Sequence, residues 1–106
     1  MAQVTLAKFR FKPGGKQRWL DWCDELKRRS GEVVETLRNE GVAVEACFLS
    51  VNEDAVYYFV EAEDFDRAQR ALQRSPYTID RQHIDVKVAA LEAVEPLTCL
   101  FHFEHR

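Results

Sequence analysis

Glycine and proline are scarce in this chain, four and three among 106 residues, and no run of Pro, Gly and Ser forms a linker. Low-complexity and collagen-like classes are therefore excluded, and one domain over 1–106 is expected. No stretch approaches the roughly 20 apolar residues of a membrane span. The start, Met1-Ala2-Gln3-Val4-Thr5-Leu6-Ala7-Lys8, has no basic segment followed by a long apolar run, so no signal peptide is expected. Excess charge of either sign is also missing: 15 basic against 18 acidic residues leave -3, with no footprint for nucleic acid or an anionic membrane.

Cysteine is limited to Cys23, Cys47 and Cys99. They form no Cys-x-x-Cys, one must stay unpaired, and apolar neighbours suggest small buried hydrophobes in a reducing, cytoplasmic setting. G-x-S-x-G is absent, and Pro13-Gly14-Gly15-Lys16 lacks phosphate-loop spacing. Near the end, His102 and Glu104 alternate onto one strand face while His105 points away, which leaves a metal short of ligands. Neither a metal nor a cofactor is expected.

What is present is ordinary globular material: 46% apolar and 31% charged residues. Residues 3–11 (QVTLAKFRF) read as a strand ending at Pro13. Residues 15–40 read as a long helix whose Trp19, Cys23, Leu26, Val33 and Leu37 share a face widened by Trp22. Ser30-Gly31 is placed to kink it, and Gly41 to end it. Residues 42–51 and 55–62 are β-branched and aromatic around a polar turn, a hairpin pattern. Asp64 is placed to cap a short helix over 65–74. A further helix is expected to about Val94, stopped by Pro96, followed by a last strand over 97–104.

The order strand, helix, strand, strand, helix pair, strand is the split βαβ pattern. It predicts an α+β, ferredoxin-like βαββαβ fold with a divided second helix and a four-stranded antiparallel sheet. Strand alternation adds that both sheet faces are largely apolar. Val44, Ala46 and Phe48 oppose Glu45, Cys47, Leu49 and Val51, while Val56, Tyr58 and Val60 oppose Ala55, Tyr57 and Phe59. Helices cover one face only. A second copy of the sheet is the simplest cover for the other, so a homodimer through that face is expected.

The opening V-T-L-A-K-F-R-F-K-P-G, the Trp-bearing helix, the stretch F-L-S-V-(x4)-V-Y-Y-F-V-E-A-E, and Ser75, Ile79, Asp80 and His83 together resemble the dimeric α+β barrel superfamily. Within it the chain is most similar to a small uncharacterised bacterial family and, more distantly, to the L-rhamnose mutarotases. The resemblance implies a two-sheet barrel with a pocket between each sheet and its helices, in a superfamily of sugar mutarotases, cofactor-free monooxygenases, haem-degrading enzymes and proteins without known activity. The mutarotases share a catalytic His early in the first helix. Here that helix begins Lys16-Gln17-Arg18-Trp19-Leu20 and contains no His.

On a helix over 79–94, three polar residues fall inside the apolar arc: Asp80, His83 and Lys87, at spacings of three and four. Burying them unpaired costs several kcal/mol. In one reading they line a pocket. Asp80 then orients His83 as general acid or base, Lys87 holds an anion, Tyr57 or Tyr58 supplies a hydroxyl, Trp19 or Trp22 an apolar wall, and Ser75 sits at a helix start that favours an anion. In the other they form a buried network, with His83 bonded to Asp80 or a strand carbonyl and Lys87 reaching the rim. The functional alternatives are a small-molecule-binding dimer, a cofactor-free acid–base enzyme using His83, and a subunit docking onto another protein.

Overall fold

The structure, a computed structural model, describes residues 2–106. Its elements are β1 (Gln3–Phe11), α1 (Gly15–Arg28), α2 (Ser30–Glu40), β2 (Val42–Ser50), β3 (Ala55–Ala62), α3 (Phe65–Gln73), α4 (Thr78–Ala90) and β4 (Leu91–Leu97). The strands form one antiparallel sheet in the order β2-β3-β1-β4, which with the four helices is the ferredoxin-like α+β arrangement. No helix is long and apolar enough to cross a membrane.

The expected long helix divides at Arg29, whose backbone leaves helical geometry (φ -108°, ψ 33°) just before Ser30-Gly31. The bend lets two stripes face the sheet. Trp19, Trp22, Cys23 and Leu26 line α1, while Val33, Thr36, Leu37 and Glu40 line α2, each at the i, i+3, i+4, i+7 spacing of one helix face. Gly41 ends α2 in the left-handed region (φ 73°), where its N–H meets the last-turn carbonyls. Asp64 caps α3, accepting the Arg67 N–H at 3.2 Å. At the α1 start, a Cβ on Gly15 would lie 2.2 Å from the Ala90 carbonyl oxygen, so only glycine lets α1 and the end of α4 approach this closely.

The C-terminal third departs from the sequence expectation. The last helix stops at Ala90, not near Val94, and the last strand is Leu91–Leu97, not 97–104. Pairing with β1, from Phe11↔Leu91 to Leu6↔Leu97, satisfies the backbone N–H and C=O groups that a helix continued to Val94 would have paired internally. The Ala90 carbonyl instead accepts the Lys12 N–H at 2.9 Å. Pro96, expected to stop a helix, lies within β4, where an edge strand tolerates its missing N–H. Residues 98–106 have no regular secondary structure, and Arg106 returns to bond Glu61 at 2.7 Å.

Trp19, Trp22, Val56, Tyr58, Ile79, Ala90 and Leu91 form the core between sheet and helices. The opposite sheet face is less uniform than its alternation predicts. Leu6, Phe59 and Leu97 share it with Lys8, Tyr57 and Arg10, which reach Glu53 and Glu92 through hydrogen bonds and ion pairs. The three cysteines are free, but Cys47 and Cys99 are exposed, contrary to the expectation of burial.

Candidate functional site

The register of β2 and β3 sets the sheet side of the site. Glu45 lies opposite Val60 and Cys47 opposite Tyr58, all facing the helices. Tyr58 and Glu45 are therefore diagonal neighbours on one face, a separation that long side chains span. The Tyr58 hydroxyl donates to Glu45 Oε1. From the helix layer, α4 lowers His83 onto the same hydroxyl, with Nε2 at 2.9 Å from the Tyr58 oxygen and 3.7 Å from Glu45 Oε1.

The other ring nitrogen of His83 decides its state. Trp22 Nε1 lies 2.8 Å from His83 Nδ1, and an indole N–H can only donate. Nδ1 is therefore an acceptor and, in the neutral ring, Nε2 carries the proton. The bonds then run one way: Trp22 N–H to His83 Nδ1, His83 Nε2–H to the Tyr58 oxygen, Tyr58 O–H to Glu45. Burial pushes the His83 imidazole below its ordinary value, against the upward pull of Glu45 and Asp80 and with the help of Lys87. Burial first, then Glu45, raises the Tyr58 phenol well above its ordinary value. The chain thus holds a neutral imidazole and a protonated phenol against a carboxylate.

A cavity of about 290 Å³ opens beside this chain, between β1–β3 and the helices. Tyr58, Asp80, His83 and Lys87 line it with apolar side chains including Leu26, Val33, Val60 and Leu72. Lys87 Nζ stands 4.8 Å from the Phe9 ring centroid and 4.6 Å from that of Tyr58, a cation–π position, and burial lowers its pKa. Asp80 accepts the Ser75 hydroxyl, and Ser75 Oγ also accepts the Tyr77 N–H at 3.1 Å. That pairing places a carboxylate of the protein itself in the first turn of α4, where helix-end N–H groups favour negative charge.

The candidates proposed from sequence are thus partly gathered. Tyr58, Asp80, His83 and Lys87 share the cavity. Trp22 donates a hydrogen bond to the imidazole and Trp19 packs behind it, its ring 5.8 Å from that of His83, but neither indole lines the cavity. Ser75 serves Asp80 at the helix start. Asp80 makes no hydrogen bond to His83, because Trp22 and Tyr58 occupy both ring nitrogens. Tyr57 is not in the site: it projects from the other face of β3 and bonds Glu53 at 2.7 Å.

Sequence reasoning did not single out Glu40 or Glu45, although both line the cavity. Each carried a signal. Glu40 continues the stripe of Val33, Thr36 and Leu37, and Glu45 alternates with Cys47 and Leu49. Glu40 is 8% exposed, and burial together with the charges of Asp80 and Glu45 pushes its carboxyl up to about 7.

Ligand atoms of Glu61, His102 and Glu104 lie within 4.8 Å of one another on the opposite face. There the Arg106 guanidinium already pairs with Glu61. His105, the third member of the sequence pattern, is not among them.

Solved structures share this architecture. A conserved protein from Methanosarcina mazei Go1 superposes with a TM-score of 0.60 at 16% identity, over 92% of this chain and 87% of its own. A candidate antibiotic biosynthesis monooxygenase from Bacteroides thetaiotaomicron VPI-5482 gives 0.63 at 14% identity, over 99% and 96%. At these identities the likeness shows the fold alone. No curated protein matches the sequence. The L-rhamnose mutarotase resemblance gains no support from these comparisons. Residues 2–105 match a family of unknown function, DUF6176, and the chain belongs to that family.

Proposed function

We propose that this protein binds a small organic molecule in the cavity between its sheet and helices. One observation carries the reading: unlike polar groups, Tyr58, His83, Glu45, Lys87, Glu40 and Asp80, converge on one cavity with apolar walls. A cavity of about 290 Å³ suits a metabolite-sized ligand. A purely structural network needs no such opening.

The test is a fragment screen by thermal shift at fixed protein concentration, comparing wild type with Ala68→Phe, which fills the α3 wall of the cavity. Hits that raise the wild-type melting temperature and not that of the variant support the reading, since a ligand of the native state stabilises it. Equal shifts in both proteins would place binding elsewhere.

A second reading, proton transfer, is favoured by the hydroxyl that Tyr58 shares between His83 and Glu45. Both nitrogens of His83 are engaged, so the imidazole acts through Tyr58. Glu45 is then the acceptor of a ligand proton, its carboxylate held by the phenol, and the proton returns from Glu45 to the product. Deuterium entering a bound ligand from D2O, with Glu45→Gln abolishing the entry, supports this. No exchange with any bound ligand would sink it.

The opposite sheet face supports a homodimer. Phe48 is 60% exposed, Val44 on the same face of β2 is 39% exposed, and Leu100, Phe101 and Phe103 of the last nine residues are exposed too. A second copy would cover this apolar surface.

A further inference from the structure

Three carboxylates reach the cavity from three elements: Glu40 from the last turn of α2, Glu45 from β2 and Asp80 from the first turn of α4. Two have internal partners. Glu45 holds the Tyr58 hydroxyl, and Asp80 holds that of Ser75. Glu40 has neither hydrogen bond nor ion pair among the described residues; the residue is only 8% exposed, and its carboxylate oxygens are not sealed off but open onto the cavity. Of the cationic side chains, only Lys87 lines the cavity among the described residues, and it stands over the Phe9 and Tyr58 rings. His83 is held neutral. The α2 end of the cavity is left with acceptors and no donor of matching charge.

An isolated buried carboxylate is unfavourable, and two like charges facing it add to the cost. A ligand cation relieves both at once. On the reading that the cavity binds a small molecule, we infer that its α2 end is a subsite for the protonated amine of a small organic cation. Glu40 is the direct ion-pair partner, and Asp80 offers a second acceptor.

A metal ion fits less well. Among the described residues, the metal-sized trio of ligand atoms within 4.8 Å is Glu61, His102 and Glu104, not these carboxylates. Their wider spread suits an ammonium group that contacts two of them through directed N–H bonds. The adjoining walls, Leu26, Val33, Val60, Phe65 and Leu72, call for an alkyl or aromatic body on the amine. Glu40 faces Asp80, His83 and Lys87 of α4 and Glu45 of β2, while Gln69 of α3 is uncharged. Its ionisation should therefore govern amine affinity, which rises between about pH 6 and about pH 8.

The experiment uses matched probes, phenethylamine, 2-phenylethanol and 3-phenylpropionate, titrated into the labelled protein while the Trp22 indole N–H resonance is followed. Wild type at about pH 8 should bind the amine at least about tenfold more tightly than the alcohol, as one charge-assisted pair supplies. Glu40→Gln, which keeps the shape and removes the charge, should erase that preference and leave the alcohol unchanged. Should that variant not fold, Asp80→Asn serves the same comparison with a smaller expected loss. Alcohol or carboxylate binding as tightly as the amine, with Glu40→Gln without effect, would overturn the ammonium subsite and leave the binding cavity standing. Failure of all three probes at millimolar concentration would overturn both.

Discussion

Trp22 donates its indole N–H to Nδ1 of His83 at 2.8 Å, so a residue of α1 sets which nitrogen of an α4 imidazole carries the proton. Protonating His83 on Nδ1 would break that bond, and burial opposes the charge as well. A folded-state pKa below the unfolded value means the unfolded chain binds the proton first. Stability is present above about pH 6.5 and is lost as pH falls toward the lowered folded value.

Trp22→Phe should therefore raise the His83 pKa and flatten this acid loss, while costing about 1–3 kcal/mol near pH 8 for the unpaired nitrogen. An NMR titration of the His83 ring and urea unfolding at two pH values would check it. An unmoved imidazole pKa would contradict the assigned bond.

Adjacent tyrosines should behave oppositely. Tyr58→Phe removes the hydroxyl between His83 and Glu45 and should cost about 1–3 kcal/mol, because both partners stay half-buried. Tyr57→Phe breaks an exposed contact with Glu53 and should cost less than about 0.5 kcal/mol. Equal losses in urea unfolding would refute the facing described for β3.

Glu40 carries the reverse pH dependence from that of His83. Its folded value of about 7 lies above the ordinary 4.5, so its ionisation lowers stability as pH rises between those values, and the loss persists above. Glu40→Gln should match wild type near pH 4.5 and exceed it by roughly 2–3 kcal/mol at pH 8 in the absence of ligand. Chemical unfolding across that range measures the difference. A variant less stable at pH 8 would show that Glu40 has a partner in the free protein.

Sedimentation at micromolar concentration should find a dimer, and Phe48→Lys should shift it toward monomer by placing a charge on the exposed sheet face. A wild-type monomer would remove the dimer proposal.

Local periodicity was sufficient for much of this molecule. β1, β3 and α3 lie where their patterns place them, within a residue, because alternation and the 3.6-residue repeat assign each side chain a face. For the same reason Asp80, His83 and Lys87 were legible as an inward stripe, and Gly41 and Asp64 as helix ends. What periodicity does not contain is which elements become neighbours. Leu91–Leu97 has apolar residues compatible with either repeat, and only the free edge of β1 made it a strand.

The site followed the same rule. The sequence determined that His83 faces inward, but the approach of α1 supplied Trp22 in place of Asp80 as its partner. The β2–β3 register brought Glu45 to Tyr58 and turned Tyr57 away, since a one-residue step on a strand reverses the face. Local periodicity sets Glu40 on the inward stripe of α2 with Val33, Thr36 and Leu37, but says nothing of what it meets there. Glu40 became a buried, unpartnered carboxylate only when α2 packed beside α4 and the sheet, because burial and charge repulsion arise from neighbours distant in the chain.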